Sequence, residues 1–454
     1  MRTAPLPLLL LPPLAACFGA FAPGGSPAAA PAPASAEALA VQYREFLDQG
    51  RTAALAVRHA ADRAPGFRRI DPLTDEPRAS PGDRLLFIDR GHTAVFVAVG
   101  KKKLAERGAR LIASHVDTPA PRLDTSHLTR ENQTRLTAHR YGGIKTYHWL
   151  HRPLAAVGQV SVRGGRVVDV DLADVWFWSE ELTPSGDLAV TTSSTPTADT
   201  AGSPATTFVG ELHRRYGLTA PDLIAAELYL VPREPAREVG LDRSLIGAHG
   251  QDDRANSFVA WRAALDIAAP PEHTAVVWLL DREEVGSGGP TGAESRFLEL
   301  VFAWLLRAEG GPASEAALHR ALAATVALSA DTPACLEANW PEVHEMSAAP
   351  RLGRGPAMFP FTGRGGKVGG SAAHAELMAS VMASFRRTGA AIQTGELGKV
   401  DEGGGGTIAR EFAQRGIDVV DIGVCVASLH SPLELTAKSD LWAAYRGFRA
   451  WLAE

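Results

Sequence analysis

The sequence predicts an α/β fold in which one domain is split by an inserted β-rich domain, and three observations carry that reading. From Ala36 to about residue 119, short apolar runs of strand length alternate with segments of helical periodicity. Between about 120 and 244 the texture changes to short β-like runs such as "LAAVGQVSVRGGRVVDVDL", "VWFWSEE", "LAVTTSS" and "AAELYLVP", punctuated by Gly, Asp and Ser. Helix–strand alternation then resumes and continues to the C-terminus. The expected division is a leader over 1–35, the two parts of the split domain over 36–119 and 245–454, and the insert over 120–244.

The elements follow in order. "MRTAPLPLLLLPPLAACFGAFAPGGSPAAAPAPASAEA" has one early Arg, a short apolar core broken by proline, and a Pro/Ala-rich tail too poor in large apolar residues to build a core. It reads either as an export signal or as a low-complexity leader. "LAAC" at Leu14–Cys17 resembles a lipoprotein box, so contact with a membrane is expected only if that leader is lipidated. "AEALAVQYREFLDQGRTAALAVRHAADRA" has helical periodicity. "RLLFIDR", "TAVFVAVG" and "ARLIASHVDT" read as strands. After the insert come a helix following "GQDDR", the strand "AVVWLL", a helix near 294–308 and the strand "ATVALSAD". A helix over 371–388, the strand "DVVDIGVCVAS" and a helix from about Lys438 complete the chain.

Composition narrows the function classes. The 454 residues carry a formal net charge of −5, which provides no basic face and argues against a nucleic-acid partner. Cys17, Cys335 and Cys425 are too few and too scattered for a disulfide framework or a thiolate metal site, so any metal must be held by His, Asp and Glu. There is no G-x-S-x-G elbow. "HEMSA" lacks the second His of a zincin helix, and "GKVDEGGGGTIAREF" fits no P-loop register.

Ligands in open α/β sheets bind beyond the carboxyl ends of the strands. Those ends carry His115 and Asp117 ("SHVDT"), Asp281, Glu283 and Glu284 ("DREE"), Asp331 ("SADT") and His430 ("ASLHS"). Asp252 and Asp253 open a helix, where either alone reads equally well as a cap. Glu283 and Glu284 are expected at a strand end, where adjacent side chains diverge. The coincidence of acids and histidines after apolar runs suits a pair of zinc-like ions, with a shared carboxylate allowing the cations to lie about 3.5–4 Å apart.

The motifs "ASHVDTPAPRLD", "YGGIKTYHWLHRPLAAVG", "GQDDRANSF", "LDREEVGSGGPTGA", "SAD", "QTGELGKVDEGGGGTIA" and "SLHSPLELTAKSDL" resemble the aspartyl aminopeptidase family of two-metal zinc aminopeptidases, most closely its bacterial branch. The resemblance runs in order from about residue 40 to the C-terminus. It implies a three-layer α/β/α zinc-aminopeptidase domain with an inserted β-rich domain for substrate and assembly. It also implies a homo-oligomer, commonly a dodecamer, in the cytoplasm unless the leader exports it. Carried over by motif, His115 and Asp331 hold one Zn2+, Glu284 and His430 the other, and Asp253 bridges them, with Asp252 its rival. Glu283 is the general base, and Asp117 orients the ring of His115. Co2+ or Mn2+ is expected to substitute for zinc, and the substrates are peptides with a free N-terminus.

The chain departs from the eukaryotic branch in having no histidine shortly after Asp331, which weakens any inference of a preference for acidic N-terminal residues. Tyr147 and His148 are candidates to line a neighbouring subunit's site, and Gly403–Gly406 to bring backbone close to a substrate. A metal-dependent deacylase or carboxypeptidase on the same scaffold, or a non-catalytic metal-binding scaffold, is the alternative function.

Overall fold

The computed structural model describes residues 30–124, 135–150, 152–178, 188–191, 208–311, 314–365 and 368–454. The leader expected over 1–35 lies outside the described residues up to residue 29, and Cys17 with it. Among the described residues no helix is long and apolar enough to cross a membrane.

A nine-stranded mixed sheet is the frame. Its strands lie in the order Arg68–Ile70, Arg84–Asp89, Thr93–Ala98, Thr274–Leu280, Ala109–His115, Val326–Ser329, Asp418–Gly423, Ala357–Phe359 and Gln393–Thr394. Thr274–Leu280 pairs antiparallel with Thr93–Ala98 and parallel with Ala109–His115, and Val326–Ser329 and Asp418–Gly423 extend the parallel run. Every residue of "TAVVWLL" is buried because both faces of the sheet are covered. Ala275, Val277 and Leu279 enter one core, with the helices Ala36–Gln49, Ala53–Asp62, Gln251–Leu265, Ala375–Thr388 and Lys438–Leu452. Val276, Trp278 and Leu280 enter the other, with Phe297–Ala308, Glu315–Ala323 and Ala409–Ala413. The two-residue period of a strand thus feeds two cores and produces three layers.

Local chemistry sets the helix limits. Ser35 caps Ala36–Gln49 by accepting from Ala38 N, and Thr52 caps Ala53–Asp62 by accepting from Leu55 N. The helical periodicity of 36–64 is therefore two helices broken at Gly50. The helix expected over 371–388 begins later, at Ala375, because Val368–Ala372 pairs with Phe361–Arg364 as a hairpin. Its paired glycines make "VGGSA" a poor helix start.

Within 120–244, six antiparallel strands close into a barrel: Ala226–Pro232, Ala120–Leu123, Arg135–Tyr141, Leu188–Thr191, Val167–Trp178 and Pro153–Ser161, in that cyclic order. Closure leaves no open sheet edge and encloses Trp149, Leu154, Ala156, Leu228 and Leu230. Arg237–Val239, by contrast, joins Leu245–Ala248 and Glu434–Ala437 in a separate three-stranded sheet.

His59 makes the first core sensitive to acid. Its buried ring lies edge-on to Phe46 and Trp261, and its Nδ1 has no hydrogen-bond partner. Burial, helped by Arg63, pushes its pKa down to about 3, so the folded protein holds it neutral. The unfolded chain takes up that proton near ~6.5. Stability attached to this residue is complete above that pH and is lost below it, at up to ~1.4 kcal/mol per pH unit. Chemical denaturation of His59→Phe should show a shallower fall in stability between pH 6.5 and 4 than the parent; parallel curves would contradict the assignment.

Candidate metal centre

The parallel strands finish level with one another: Leu280 pairs with His115, and Ser329 pairs with both Ala113 and Asp421. Chain leaving these ends therefore delivers polar side chains to one place. His115 is the last residue of its strand, and Asp331 follows Val326–Ser329 closely. Glu283 and Glu284 do not sit at a strand end as expected. Arg282 turns left-handed (φ 68°), and Glu283–Val285 forms a single 3-10 turn. His430, also left-handed (φ 62°), lies beyond Asp418–Gly423.

Asp252, not Asp253, stands between the histidines. Its Oδ1 is 3.3 Å from His115 Nε2 and its Oδ2 is 3.2 Å from His430 Nε2. Asp331 Oδ1 is 3.6 Å from His115 Nε2, and Glu284 Oε1 is 3.6 Å from His430 Nε2. Two ligand-like groups result, His115–Asp252–Asp331 and Asp252–Glu284–His430, with Asp252 in both. A third grouping joins His115, Glu283 and Glu284.

The carboxylate of Asp253 is committed elsewhere. Oδ1 accepts from Asn256 Nδ2 (2.6 Å) and Thr332 Oγ1 (2.7 Å), while Oδ2 accepts from Ser114 Oγ (2.7 Å) and His115 N (3.3 Å). Asp252 and Asp253 both depart from helical φ/ψ, so neighbouring acids face opposite ways. The spacing of the sequence alone could not separate them.

Asp117 organises the site without facing its centre. Its Oδ1 accepts from Glu283 N (3.2 Å), and its Oδ2 from Glu284 N (3.2 Å) and Tyr141 Oη (2.8 Å). Its own carbonyl lies 3.0 Å from His115 Nδ1, which turns Nε2 toward the acids. Glu434, which sequence reasoning missed, plays a matching part on the other side. Its carboxylate accepts from Gln251 N (2.6 Å), Asp252 N (3.2 Å) and His430 N (2.7 Å). The only signal was an acid four residues after His430 in "HSPLEL". In "YGG", Gly143 is needed for close approach: a Cβ there would lie 3.0 Å from His430 Nδ1, the atom that its carbonyl contacts at 3.2 Å.

Electrostatics set the chemistry. Burial, then the charge of Asp331, pushes Glu283 up to about 8, and burial raises Glu284 and Asp331 as well. Burial works against ionisation of Asp252 too, yet the adjacent imidazoles of His115 and His430 hold it at about 2. His430 rises to about 10, because Asp252 and Glu284 outweigh its desolvation. Asp252 Oδ1 and Glu284 Oε1 are buried without any hydrogen-bond partner. Unpaired buried carboxylate oxygens facing histidine nitrogens are costly alone and suited to cations. Imidazole and carboxylate are zinc donors, so these residues fit zinc.

Beside this centre opens a cavity of about 350 Å³. Its walls include Ala334, Val343, Phe359, Leu397 and Leu429, and Gly404–Gly406 of the glycine-rich stretch border it. Asp421 lies in its wall, with Oδ1 accepting from Thr407 Oγ1 and Oδ2 from Thr362 Oγ1. Tyr147 and His148 sit on the 3-10 turn Thr146–Trp149, with Tyr147 largely exposed.

Comparison with known proteins identifies the family of the chain and its fold. Residues 46–174 and 180–452 match the aminopeptidase I zinc metalloprotease (M18) family. An M18 family aminopeptidase 1 of Thermotoga maritima is 34% identical over 438 residues, spanning 91% of this chain and 95% of that protein. One from Borrelia garinii subsp. bavariensis is 32% identical over 436 residues, spanning 91% and 95%. The crystal structure of an M18 family aminopeptidase from Thermotoga maritima superposes with a TM-score of 0.81 at 32% identity, covering 92% of this chain and 96% of that one. The S. cerevisiae mApe1 dodecamer structure, 24% identical, shares the fold with a TM-score of 0.75, covering 91% and 95%. The chain belongs to the aminopeptidase I zinc metalloprotease (M18) family and is a metalloaminopeptidase by that membership.

A cation that relieves this repulsion should stabilise the fold. Zinc added to chelator-stripped protein at 100 times its Kd should add ~2.7 kcal/mol per site. Melting temperature followed by calorimetry should rise with zinc and much less with magnesium, which disfavours imidazole. Equal responses to both would contradict a nitrogen–oxygen zinc site.

Proposed function

We propose that this M18 family member removes single residues from the free N-terminus of peptides, using two zinc ions and a glutamate base. His115 and Asp331 would hold one ion, Glu284 and His430 the other, and Asp252 both, in place of the Asp253 expected from the sequence. The observation that carries this reading is the position of Asp252 between the two histidine Nε2 atoms at 3.3 and 3.2 Å. When bound, the zinc pair supplies Lewis acidity to the scissile carbonyl and acidifies a water.

The chain's own residues do the rest. Glu283 Oε2 lies 3.9 Å from His115 Nε2, at the edge of the ligand cluster. It accepts the proton of the attacking water and delivers it to the leaving nitrogen. Positive charge in the site favours its ionised form, offsetting the burial that raises it. Asp117 is a positioning residue, holding the amides of both glutamates and the ring of His115.

The cavity beside the centre would take the first side chain of the substrate. Apart from the metal-centre residues Asp252, Glu283, Glu284, Asp331 and His430, its lining is largely apolar, with Asp421 and His344 as the ionisable groups and no Lys or Arg among the described residues. That supports neutral, apolar N-terminal residues over acidic ones. It also disfavours a carboxypeptidase, which needs a cation for the substrate's terminal carboxylate. We further propose a homo-oligomer, the dodecamer named for the S. cerevisiae relative being the precedent. The insert over 120–244 would serve assembly, with Tyr147 and His148 the candidates to reach a neighbouring site.

A panel of aminoacyl p-nitroanilides tests both parts. Glu283→Gln should lose ~10²–10⁴-fold in kcat while elemental analysis finds its zinc unchanged; loss of zinc would instead make Glu283 a ligand. The parent should prefer Leu over Asp substrates by ~10²-fold or more in kcat/KM, since placing like charges together costs several kcal/mol. A preference for Asp would reject the pocket assignment but leave the hydrolytic reading standing.

A further inference from the structure

A small pocket lined in part by Asp117 is not used by the proposed chemistry. Its volume is about 10 Å³, room for one water-sized occupant, and its lining includes Arg51, Asp117, Thr118, Tyr141, Tyr229 and Arg254. Arg254 is fully buried, with 0% exposure. Its Nε donates to Val116 O at 3.2 Å, but Nη1 and Nη2 have no hydrogen-bond partner, nor has the buried Thr118 Oγ1. Gly250 leaves the space that the guanidinium occupies: a Cβ there would lie 2.5 Å from Arg254 Nη1.

Arg254 Nη1 and Nη2 make no hydrogen bond to a carboxylate among the described residues. The carboxylates that act on it through space, Glu434 and Asp117, are spent on other donors. Glu434 takes Gln251 N, Asp252 N and His430 N, and Asp117 takes Glu283 N, Glu284 N and Tyr141 Oη. No ion pair to Arg254 is present among the described residues. Arg51 adds a second guanidinium beside the pocket, and its own partner is Asp171 of the barrel. The nearby Arg51 charge makes the environment less hospitable to a lone cation.

We propose that this pocket is a binding site for one small monovalent anion of halide size, held by Arg254 Nη1 and Nη2 and by Thr118 Oγ1. Three buried donors without partners belong to two residues that line this one pocket, and a bare anion accepts from all three while donating nothing. A water there would also have to place its own two hydrogens. The site rests on this geometry alone and stands whether or not the catalytic reading does. The anion would fix the Arg254 and Thr118 side chains, which line the pocket together with Asp117.

Bromide is the probe. Crystals of the full-length, zinc-loaded protein grown in sodium bromide should show an anomalous peak in this pocket, within hydrogen-bond reach of Arg254 Nη and Thr118 Oγ1. In solution, the melting temperature should rise saturably with chloride or bromide relative to gluconate at equal ionic strength. Thr118→Val should shift that saturation to several-fold higher halide. An ordered water with no anomalous signal would overturn the proposal. So would a stability response shared equally by all salts.

Discussion

Asp252, Glu283, Glu284 and Asp331 converge with only two histidines in one largely buried space, and their mutual repulsion is the constraint that the surrounding structure must contain. Containment is done by backbone amides and spent carboxylates. Asp117 clamps the amides of Glu283 and Glu284, so the 3-10 turn cannot swing its acids apart. Glu434 holds the amides of Gln251, Asp252 and His430 together across more than a hundred residues of sequence. Asp253 ties the start of its helix to Ser114, Asn256 and Thr332. Each clamp is an acid whose two oxygens already accept hydrogen bonds, so it adds rigidity while its donors are held in place.

Much of this was legible from the sequence. Buried parallel strands declare themselves as unbroken apolar runs, and "AVVWLL", "ARLIASH" and "ATVALS" are indeed adjacent and level. That levelness makes polar residues at or just beyond the strand ends neighbours, and His115, Glu284, Asp331 and His430 stood out by that position, while their roles as ligands came from the family resemblance. The helix expected from about Lys438 starts at Lys438. What failed to read were features set by backbone direction. Nothing in "QDDR" tells which aspartate faces the histidines, because the answer depends on non-helical dihedrals at both. Arg282 in a left-handed conformation has no sequence signal comparable to a glycine, so the turn of Glu283 and Glu284 was expected as a strand end. Glu434 carried no signal of its own because its partners are amides, which every residue has.

The barrel and the sheet meet at the same residues. Ala120–Leu123, a barrel strand, begins just after Asp117, and Tyr141 of another barrel strand donates to the Asp117 carboxylate. "YGG" then carries the chain against His430. The insert is therefore coupled to the centre through Asp117 and Gly143, not appended to a remote edge. Arg254 shares this junction, since the pocket it lines is bounded by Asp117 on one side and by the barrel residue Tyr229 on the other.

The central claim is that Asp252 is shared between two ions. Diffraction from zinc-loaded crystals, measured on both sides of the zinc absorption edge, tests it directly. The account predicts two anomalous peaks about 3.5–4 Å apart, each ~2.0–2.2 Å from a different oxygen of Asp252, with His115 and Asp331 on one and Glu284 and His430 on the other. A single peak, or two peaks bridged by Asp253 while Asp252 binds neither, would contradict it.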